Sequence, residues 1–316
     1  MLNSFQVVWF KRDLRITDHE AILQASASNL PTLFLYIHEP EVFKSVHYSS
    51  RHERFIWESI VELNQHFTSL KLNFISVEMS AKTCFNQLID LGLKEVYSLE
   101  EIGLEVTYAR DRELKGIFKN AGVLWHEYPY SGIRRGLRNR KDFNAYWYDY
   151  MSNVIPEIQW SSFESIIQAE AFPVQEFPRL MEKPEVEGIV QKGGYLKAWQ
   201  YLNSFTQKRV SKYMQHISKP EESRKSCSRI SAYLAWGNIS LREVFQSQYL
   251  AGQNSPYKRN MRQFASRLRW REHFMQKFES ECEMEFVSVN RGYESLDYKN
   301  EDANYERWKK GKTGFP

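Results

Sequence analysis

Ser226-Cys-Ser-Arg-Ile-Ser-Ala-Tyr-Leu-Ala-Trp-Gly-Asn-Ile-Ser240 is the stretch around which this chain of 316 residues is organised. Ile230, Tyr233 and Leu234 recur at helical spacing, which predicts a short helix with one buried face. Gly237 then supplies the backbone freedom that ends a helix. The stretch therefore predicts a short helix followed by a tight turn.

A second helix is predicted to begin at once. Ser240 and Glu243 have the spacing of a capping box, in which each side chain accepts a hydrogen bond from the other residue's backbone. Ile239 and Val244 occupy the positions of a hydrophobic staple around the same helix start. Two consecutive helices thus follow from this one stretch.

Polar side chains precede the first of these helices. Ser226, Cys227 and Ser228 stand where unpaired N–H groups and the positive end of the helix dipole meet. Two interpretations are open: a plain N-cap, for which serine is a common choice, and a docking point for a phosphate group.

Composition limits the classes of protein that need to be considered. Hydrophobic residues make up 42% and charged residues 26% of a chain long enough for two domains, as in soluble globular proteins. No apolar run approaches a membrane span and no signal peptide opens the chain, so we expect a cytoplasmic monomer. Three scattered cysteines (Cys84, Cys227 and Cys282) indicate neither a disulfide framework nor a metal site. The net charge of +4 does not by itself establish a nucleic-acid partner.

Working outward to the N-terminus, apolar runs of strand length alternate with helical patterns. The predicted strands are residues 6–10, 32–37, 72–77, 95–99 and 123–127. Strands separated by helix-length segments predict a doubly wound α/β domain with a parallel five-stranded sheet. No G-x-G-x-x-G follows the first strand, which disfavours a nicotinamide dinucleotide site.

The helices between these strands have their own start signals. Thr17 and Glu20 predict a capping box for the first helix, with Ala21, Ile22 and Ala25 on its apolar side. Residues 51–67 predict a second crossover helix. Between the first strand and the first helix lies a charged turn, residues 11–15, which suits a structural ion-pair cluster as well as a ligand contact.

The second half of the chain has a different pattern. Periodicity weakens and prolines accumulate after Tyr128, so we predict three parts: an α/β domain (1–130), a connector (131–192) and an all-α domain (193–316). Residues 133–141 carry five basic side chains, which form either a solvated surface run or a track for a phosphate backbone.

A predicted helix around residues 261–278 carries the second group of candidate residues. Arg271 falls on its apolar stripe, and no acidic residue stands at 264, 267, 268, 274, 275 or 278 to pair with it. Because a buried unpaired charge is costly, its partner is expected to be a cofactor or another segment. A second face of this helix, on a different side from Arg271, carries Arg267, Trp270 and Lys277. It is either a basic face that suits nucleic acid or a solvated face with a half-buried tryptophan.

Four ordered motifs resemble the photolyase/cryptochrome family. The first is Val7-Val-Trp-Phe-Lys-Arg-Asp-Leu-Arg15, and the second is the run Cys227-Ser-Arg-Ile-Ser231 within the organising stretch. The others are Trp270-Arg-Glu-His-Phe274 and Trp308-Lys-Lys-Gly-Lys-Thr-Gly-Phe-Pro316. The resemblance covers essentially the whole chain, but family members continue beyond Pro316 through much of their flavin domain. We therefore expect a partial all-α FAD-binding domain here.

The resemblance implies roles for individual residues. Those that match the FAD-binding positions are Tyr213, Cys227, Ser228, Arg229, Ile230, Ser231 and Arg271. Cys227 replaces a threonine, so one hydroxyl donor becomes a weaker thiol donor. Trp270 matches the catalytic-site tryptophan that packs against damaged pyrimidines, Arg267 stands where photolyases commonly carry a glutamate, and Tyr298 stands where the family often has the surface end of its electron chain.

The function implied is light-dependent DNA repair. Reduced FAD transfers an electron to a cyclobutane pyrimidine dimer that is flipped out of DNA, and an antenna chromophore, methenyltetrahydrofolate or a deazaflavin, harvests light in the α/β domain. Two alternatives stay open: a cryptochrome-type blue-light photoreceptor, and an inactive truncated remnant without cofactor. Because the resemblance places part of the flavin pocket beyond Pro316, we expect the 316-residue chain to bind FAD weakly or not at all.

Overall fold

The computed structural model describes residues 4–137, 139–166, 177, 182–296 and 302–314. Its centre is a parallel five-stranded sheet with the order β3-β2-β1-β4-β5. The strands are β1 (Phe5–Phe10), β2 (Thr32–His38), β3 (Asn73–Glu78), β4 (Leu93–Leu99) and β5 (Leu124–Tyr128). All five predicted strands are present, and the predicted doubly wound α/β class with a helical C-terminal part is confirmed.

Helices cover both faces of the sheet and then continue alone. In the α/β part they are α1 (Glu20–Ala25), α2 (Pro40–Phe43), α3 (Ser50–Ser69), α4 (Ala81–Asp90) and α5 (Glu105–Ala121). They are followed by α6 (Phe143–Ser152), α7 (Tyr195–Gln207), α8 (Tyr213–His216), α9 (Pro220–Ser226), α10 (Ser231–Ala235), α11 (Leu241–Gln253) and α12 (Lys258–Ser280). No strand follows Gly193 in the parts of the chain that the structure describes, as predicted.

Two apolar clusters fill the interior, one on each face of the sheet. The cluster under α4 and α5 includes Trp9, Phe85 and Phe118. The other packs α1 and α3 on the opposite face and extends without a break into α7, α10, α11 and α12. Because the helical part shares this core with the sheet, residues 1–280 form one compact unit.

Residues 281–316 form a second unit, described by itself. It contains two 3₁₀ turns, Cys282–Glu285 and Arg291–Ser295, and the helix α13 (Asp302–Lys309). Our division at residues 130 and 192 stays a prediction. None of the helices described combines the length and the apolar character that a bilayer span requires.

The predicted start of the first helix is wrong. The N-cap of α1 is His19, whose ring Nδ1 accepts the backbone N–H of Ile22, and Thr17 lies outside the helix. Thr17 Oγ1 donates instead to Glu243 Oε1 at 2.8 Å. Glu243 is therefore shared between this contact and the predicted capping box of α11, which is present with both reciprocal hydrogen bonds.

The charged turn after β1 is an ion-pair cluster. Lys11 pairs with Asp111 at 3.2 Å, Arg12 with Glu101 at 3.1 Å, and Asp13 with His19 at 3.0 Å. These contacts support the structural alternative for this turn.

The same turn is joined to the stretch that organises the chain. Leu14 N–H donates to the carbonyl of Trp236 at 3.0 Å, and the side chain of Asn238 donates to the carbonyl of Leu14 at 3.2 Å. Gly237 has φ +64, and a Cβ added there would lie 2.5 Å from Asp13 Cα and closer still to the carbonyl oxygen of Arg12. Only glycine allows this approach of two backbones.

We therefore predict that Gly237→Ala strongly destabilises the chain. Gly122→Ala is the matched control, because Gly122 has φ +68 but open space around its Cβ position. The control should lose about 1–2 kcal/mol in free energy of unfolding from the left-handed backbone alone. Gly237→Ala should lose roughly 3 kcal/mol more, since backbone atoms cannot move aside as a side chain can. Urea unfolding measures both variants, and equal losses would contradict the close approach.

Candidate functional site

The predicted FAD-phosphate positions lie between two short helices. Ser226 precedes α10 as predicted, but it is the last residue of α9 and does not stand at the start of α10. Ser231 is the first residue of α10 and is exposed, with Ile230 as N-cap. We call residues 227–231 the phosphate segment. Arg229 within it has φ +58, the left-handed conformation that side chains other than glycine rarely adopt.

This backbone suits an anion. A left-handed residue followed by the right-handed Ile230 turns successive N–H groups toward one side, the arrangement known as a nest. The first N–H groups of α10 add donors that have no acceptor within the helix. Strain at a non-glycine residue is typical of binding sites.

Two arginines, Arg209 beside the phosphate segment and Arg229 within it, have no carboxylate partner among the described residues. Arg209 donates to the carbonyls of Tyr201, Cys227 and Ser228 and to the hydroxyl of Ser204, all of them neutral. Burial lowers the pKa of Arg209, and the nearby charge of Arg229 lowers it as well. Positive charge therefore accumulates here.

Arg229 has spare donor capacity. Its Nη2 donates to Gln191 Oε1 at 3.4 Å, and its carbonyl accepts from Gln191 Nε2 at 2.8 Å. Its Nε is buried and has no hydrogen-bond partner among the described residues. Because a buried donor without a partner is costly, this atom indicates a missing acceptor. The segment thus fits the diphosphate of FAD.

Tyr213 and Arg267 lie on the same side of the helical part as the phosphate segment. Tyr213 is buried against Phe205 and Phe264, and burial raises its pKa to about 12, with Cys227 acting in the same direction and Arg267 opposing. Burial also raises the pKa of the Cys227 thiol. The structure thus brings together the neutral phenol of Tyr213, the neutral thiol of Cys227 and the exposed guanidinium of Arg267.

The expectation that Arg271 has no acidic partner within its own helix is wrong, whereas the expected partner from another segment is present. Arg271 Nη1 pairs with Glu272 Oε1 at 2.5 Å, and Nη2 donates to the carbonyl of Leu234 in α10 at 2.9 Å. The buried stripe of α12 is Met261, Phe264, Leu268, Glu272 and Gln276, so its last two positions are polar and Arg271 lies beside it. Only positions three, four or seven residues away were considered as helical partners, so the adjacent residue was missed.

Glu272 is the most deeply buried charge of this region. It is fully buried, and burial raises the pKa of its carboxyl against the opposing charge of Arg271. A glutamate directly after an arginine on a buried stripe was the sequence signal for this pair. The pair attaches α12 to α10 through Leu234.

Trp270 points to a different side of α12 and is 45% exposed. Its ring lies 5.4 Å from that of His273 and 5.6 Å from that of Phe274, and we call these three residues the aromatic cluster. Burial lowers the pKa of His273, and the charges of Arg140, Arg269 and Lys277 lower it further. The cluster therefore lies in a positive field.

Two other predictions concern surface positions. Tyr298, the candidate end of an electron chain, lies outside the described residues. In the basic run, Arg135 pairs with Glu127 and Glu100, and the guanidinium of Arg134 lies 3.6 Å from the ring centroid of Tyr146. These two side chains contact protein, which leaves less of the run for a phosphate backbone.

The carboxyl ends of the strands are where a doubly wound sheet usually binds its ligand. Here Arg110 of α5 fills that crevice, pairing with Glu39 at 2.6 Å and with Glu101 at 3.1 Å, and its guanidinium lies 4.7 Å from the ring centroid of Trp9. The remaining volume is about 30 Å³, the space of one water molecule. Arg110 therefore leaves no room for an antenna chromophore beside Trp9. A pocket of about 560 Å³ lies at the carboxyl ends of β2 and β3, lined by His38 and Glu78 among others, and the antenna chromophore stays a prediction.

The fold is that of an α/β protein whose doubly wound sheet is followed by a helical second part. Residues 6–133 match the DNA photolyase family, and residues 264–316 match the FAD binding domain of DNA photolyase. The chain belongs to the photolyase/cryptochrome family.

Both photolyases and a cryptochrome are among the proteins with similar sequences. The deoxyribodipyrimidine photo-lyase of Vibrio cholerae is 22% identical over 98% of this chain and 69% of its own length. Cryptochrome-2 of Arabidopsis thaliana is 25% identical over 76% of this chain and 42% of its own length.

Solved structures show the same fold. A Synechocystis cryptochrome superposes with a TM-score of 0.79 at 18% identity, covering all of this chain and 70% of that protein. An archaeal photolyase from Sulfolobus tokodaii, solved with two FAD molecules, superposes with a TM-score of 0.78 at 20% identity over 98% of this chain and 68% of that protein. The chain thus spans roughly two thirds of these structures.

We predict that Arg271→Met destabilises the chain at neutral pH, because it leaves the buried Glu272 carboxylate unpaired. The expected loss is about 3–5 kcal/mol. The folded-state pKa of Glu272 is raised, so its protonated form contributes stability below the unfolded pKa, and this contribution disappears as the pH rises through the folded pKa. The loss should therefore be smaller at pH 5 than at pH 7.5 in urea unfolding.

The double variant Arg271→Met with Glu272→Gln is the control. It removes both charges, so its stability should lie closer to the parent and vary less with pH. A single variant as stable as the parent at pH 7.5 would contradict the pairing.

Proposed function

We propose that this chain is a flavin-dependent DNA photolyase that binds FAD at the phosphate segment and DNA at the face of α12 that carries the aromatic cluster. The observation that carries the proposal is the exposed Trp270 in a positive field, one residue from Arg271, which contacts α10. An exposed aromatic ring beside cations suits an unstacked base and its phosphates. When bound, reduced FAD would supply the electron that splits a cyclobutane pyrimidine dimer under light.

The residues of the chain have separate tasks in this proposal. The nest at Arg229 and the start of α10 hold the diphosphate, while Arg209 and Arg229 compensate its charge. Tyr213 and Cys227 stay neutral beside the cofactor, since burial raises the pKa of both groups. Trp270 offers a stacking surface for a flipped pyrimidine.

A second candidate is a cryptochrome-type light sensor that uses the same cofactor without repair. One observation favours it: Arg267, exposed on α12, stands where photolyases commonly carry a glutamate. Repair of irradiated DNA under blue light separates the two functions, because only a photolyase removes the dimers.

We predict that Ser228→Ala with Ser231→Ala weakens FAD binding by roughly a hundredfold, the effect of two lost hydrogen bonds to a charged group at about 1.5 kcal/mol each. The measurement is an FAD titration of the purified chain followed by tryptophan fluorescence. Ser211→Ala with Ser223→Ala is the matched control, because these hydroxyls donate to the backbone carbonyls of Lys208 and Pro220. Unchanged affinity in the Ser228 and Ser231 variant would overturn the assignment of the phosphate segment.

We also predict that Trp270→Ala weakens binding to dimer-containing DNA by roughly tenfold, the value of one base stacked on an aromatic ring. FAD affinity should be unchanged because Arg271 points away from this face. Trp308→Ala is the control, since Trp308 is another exposed tryptophan of the chain. If Trp270→Ala and the parent bind dimer-containing duplex equally, repair at this face is excluded and the sensor gains support.

A further inference from the structure

A groove lies on the helical part between α6, α11 and α12, and we call it the α11–α12 groove. Its volume is about 510 Å³. Its polar and aromatic lining includes Tyr148, Gln248, Tyr249, Lys258, Arg262 and Arg269. None of the proposed FAD positions lines it.

The charge of the groove has one sign. Lys258, Arg262 and Arg269 line it, and none of the acidic side chains that the structure describes does. In the described parts of the chain no ion pair joins any of the three to a carboxylate, whereas the cations at the edge of the sheet are all paired. The groove therefore has a positive potential that attracts an anion.

The three cations follow one face of α12. Lys258 and Arg262 are four residues apart, Arg269 is seven beyond Arg262, and His273 is four beyond Arg269. Lys258 and Arg262 lie about 6 Å apart along the helix, as do Arg269 and His273, and this is similar to the phosphate spacing of an extended strand; Arg262 and Arg269 lie about 10.5 Å apart. The row reaches the aromatic cluster at His273, whose ring contacts Trp270.

Two tyrosines stand along the same groove. Tyr249 of α11 is 58% exposed and Tyr148 of α6 is 46% exposed. The guanidinium of Arg269 lies 6.0 Å from the ring centroid of Tyr148. Exposed aromatic rings beside unpaired cations are the pattern of surfaces that bind single-stranded nucleic acid, because bases stack on the rings while phosphates meet the cations.

We propose that the α11–α12 groove binds a single-stranded stretch of nucleic acid that leads to the aromatic cluster. The cations contact its phosphates, and Tyr249 and Tyr148 each receive a base. The inference extends the proposed function, since it gives the strand beside a flipped base a path along α12. Binding at the groove does not require FAD, light or a pyrimidine dimer. The inference can therefore be tested independently of the proposed repair function.

The test is fluorescence anisotropy with labelled undamaged oligothymidine, in the dark and without flavin. Arg262→Gln with Arg269→Gln should lower the affinity by roughly tenfold and reduce the slope of log K against log salt by about 1.4, since two phosphate contacts are lost. Tyr249→Ala should lower the affinity about fivefold or more, whereas Tyr249→Phe should keep it. Melting temperatures check that each variant is folded.

The matched control is Lys94→Gln with Lys115→Gln, which removes the same charge from exposed positions of the α/β domain. An affinity that falls equally in the control and in the arginine variant would mean a general charge effect and overturn the proposal. Heparin binding as tight as oligothymidine, together with no effect of Tyr249→Ala, would show a polyanion site without base stacking and also overturn it. If the arginine variant loses oligothymidine but keeps its preference for dimers, groove and dimer site are separate, as proposed.

Discussion

The close approach of two backbones, the turn after β1 and the turn at Gly237, is the constraint on which the rest of the structure depends. The carbonyl of Trp236 accepts the N–H of Leu14, and Gly237 leaves no room for a side chain against Arg12 and Asp13. Arg242 and Asp18 form a buried ion pair beside this contact, with Arg242 Nε 3.0 Å from Asp18 Oδ1. The position of α10 relative to the sheet is thereby defined, and with it the phosphate segment that precedes α10. The position of α12 is fixed relative to α10 in turn, because the guanidinium of Arg271 donates to both the carbonyl of Leu234 and the carboxylate of Glu272.

Charge compensation divides the molecule into two kinds of region. At the edge of the sheet Lys11, Arg12 and Arg110 meet Asp111, Glu101 and Glu39, so the crevice is neutral and closed. Among the residues that the structure describes, the arginines at the phosphate segment and along the α11–α12 groove contact neutral acceptors and no carboxylate. Unpaired cations in a partly buried setting are stabilised by anions. The distribution of carboxylates therefore separates cations that stabilise the fold from cations that are available to bind an anion. Our proposals for FAD and nucleic acid both rest on this contrast.

Local chemistry made much of the fold predictable, and contacts between distant segments account for the rest. The five strands and the Ser240–Glu243 capping box follow from patterns within a few residues. Thr17 failed as a cap because its hydroxyl bonds Glu243, more than 200 residues away, and this alternative is invisible in the local pattern. Arg209 was missed for the same reason: its acceptors are backbone carbonyls brought together only by folding. The left-handed conformation at position 229 could not be predicted, because the residue there is arginine and not glycine or asparagine.

The central claim is that Arg209, Arg229 and the start of α10 form a site for the diphosphate of a flavin nucleotide. Parallel titrations of the purified chain with FAD and with riboflavin test it directly, because riboflavin has the same ring system without phosphate. The account predicts that FAD binds at least about tenfold more tightly, as expected for charge-assisted hydrogen bonds to the diphosphate, and that this preference declines as salt is added. Equal affinity for the two compounds, or a preference independent of salt, would contradict it.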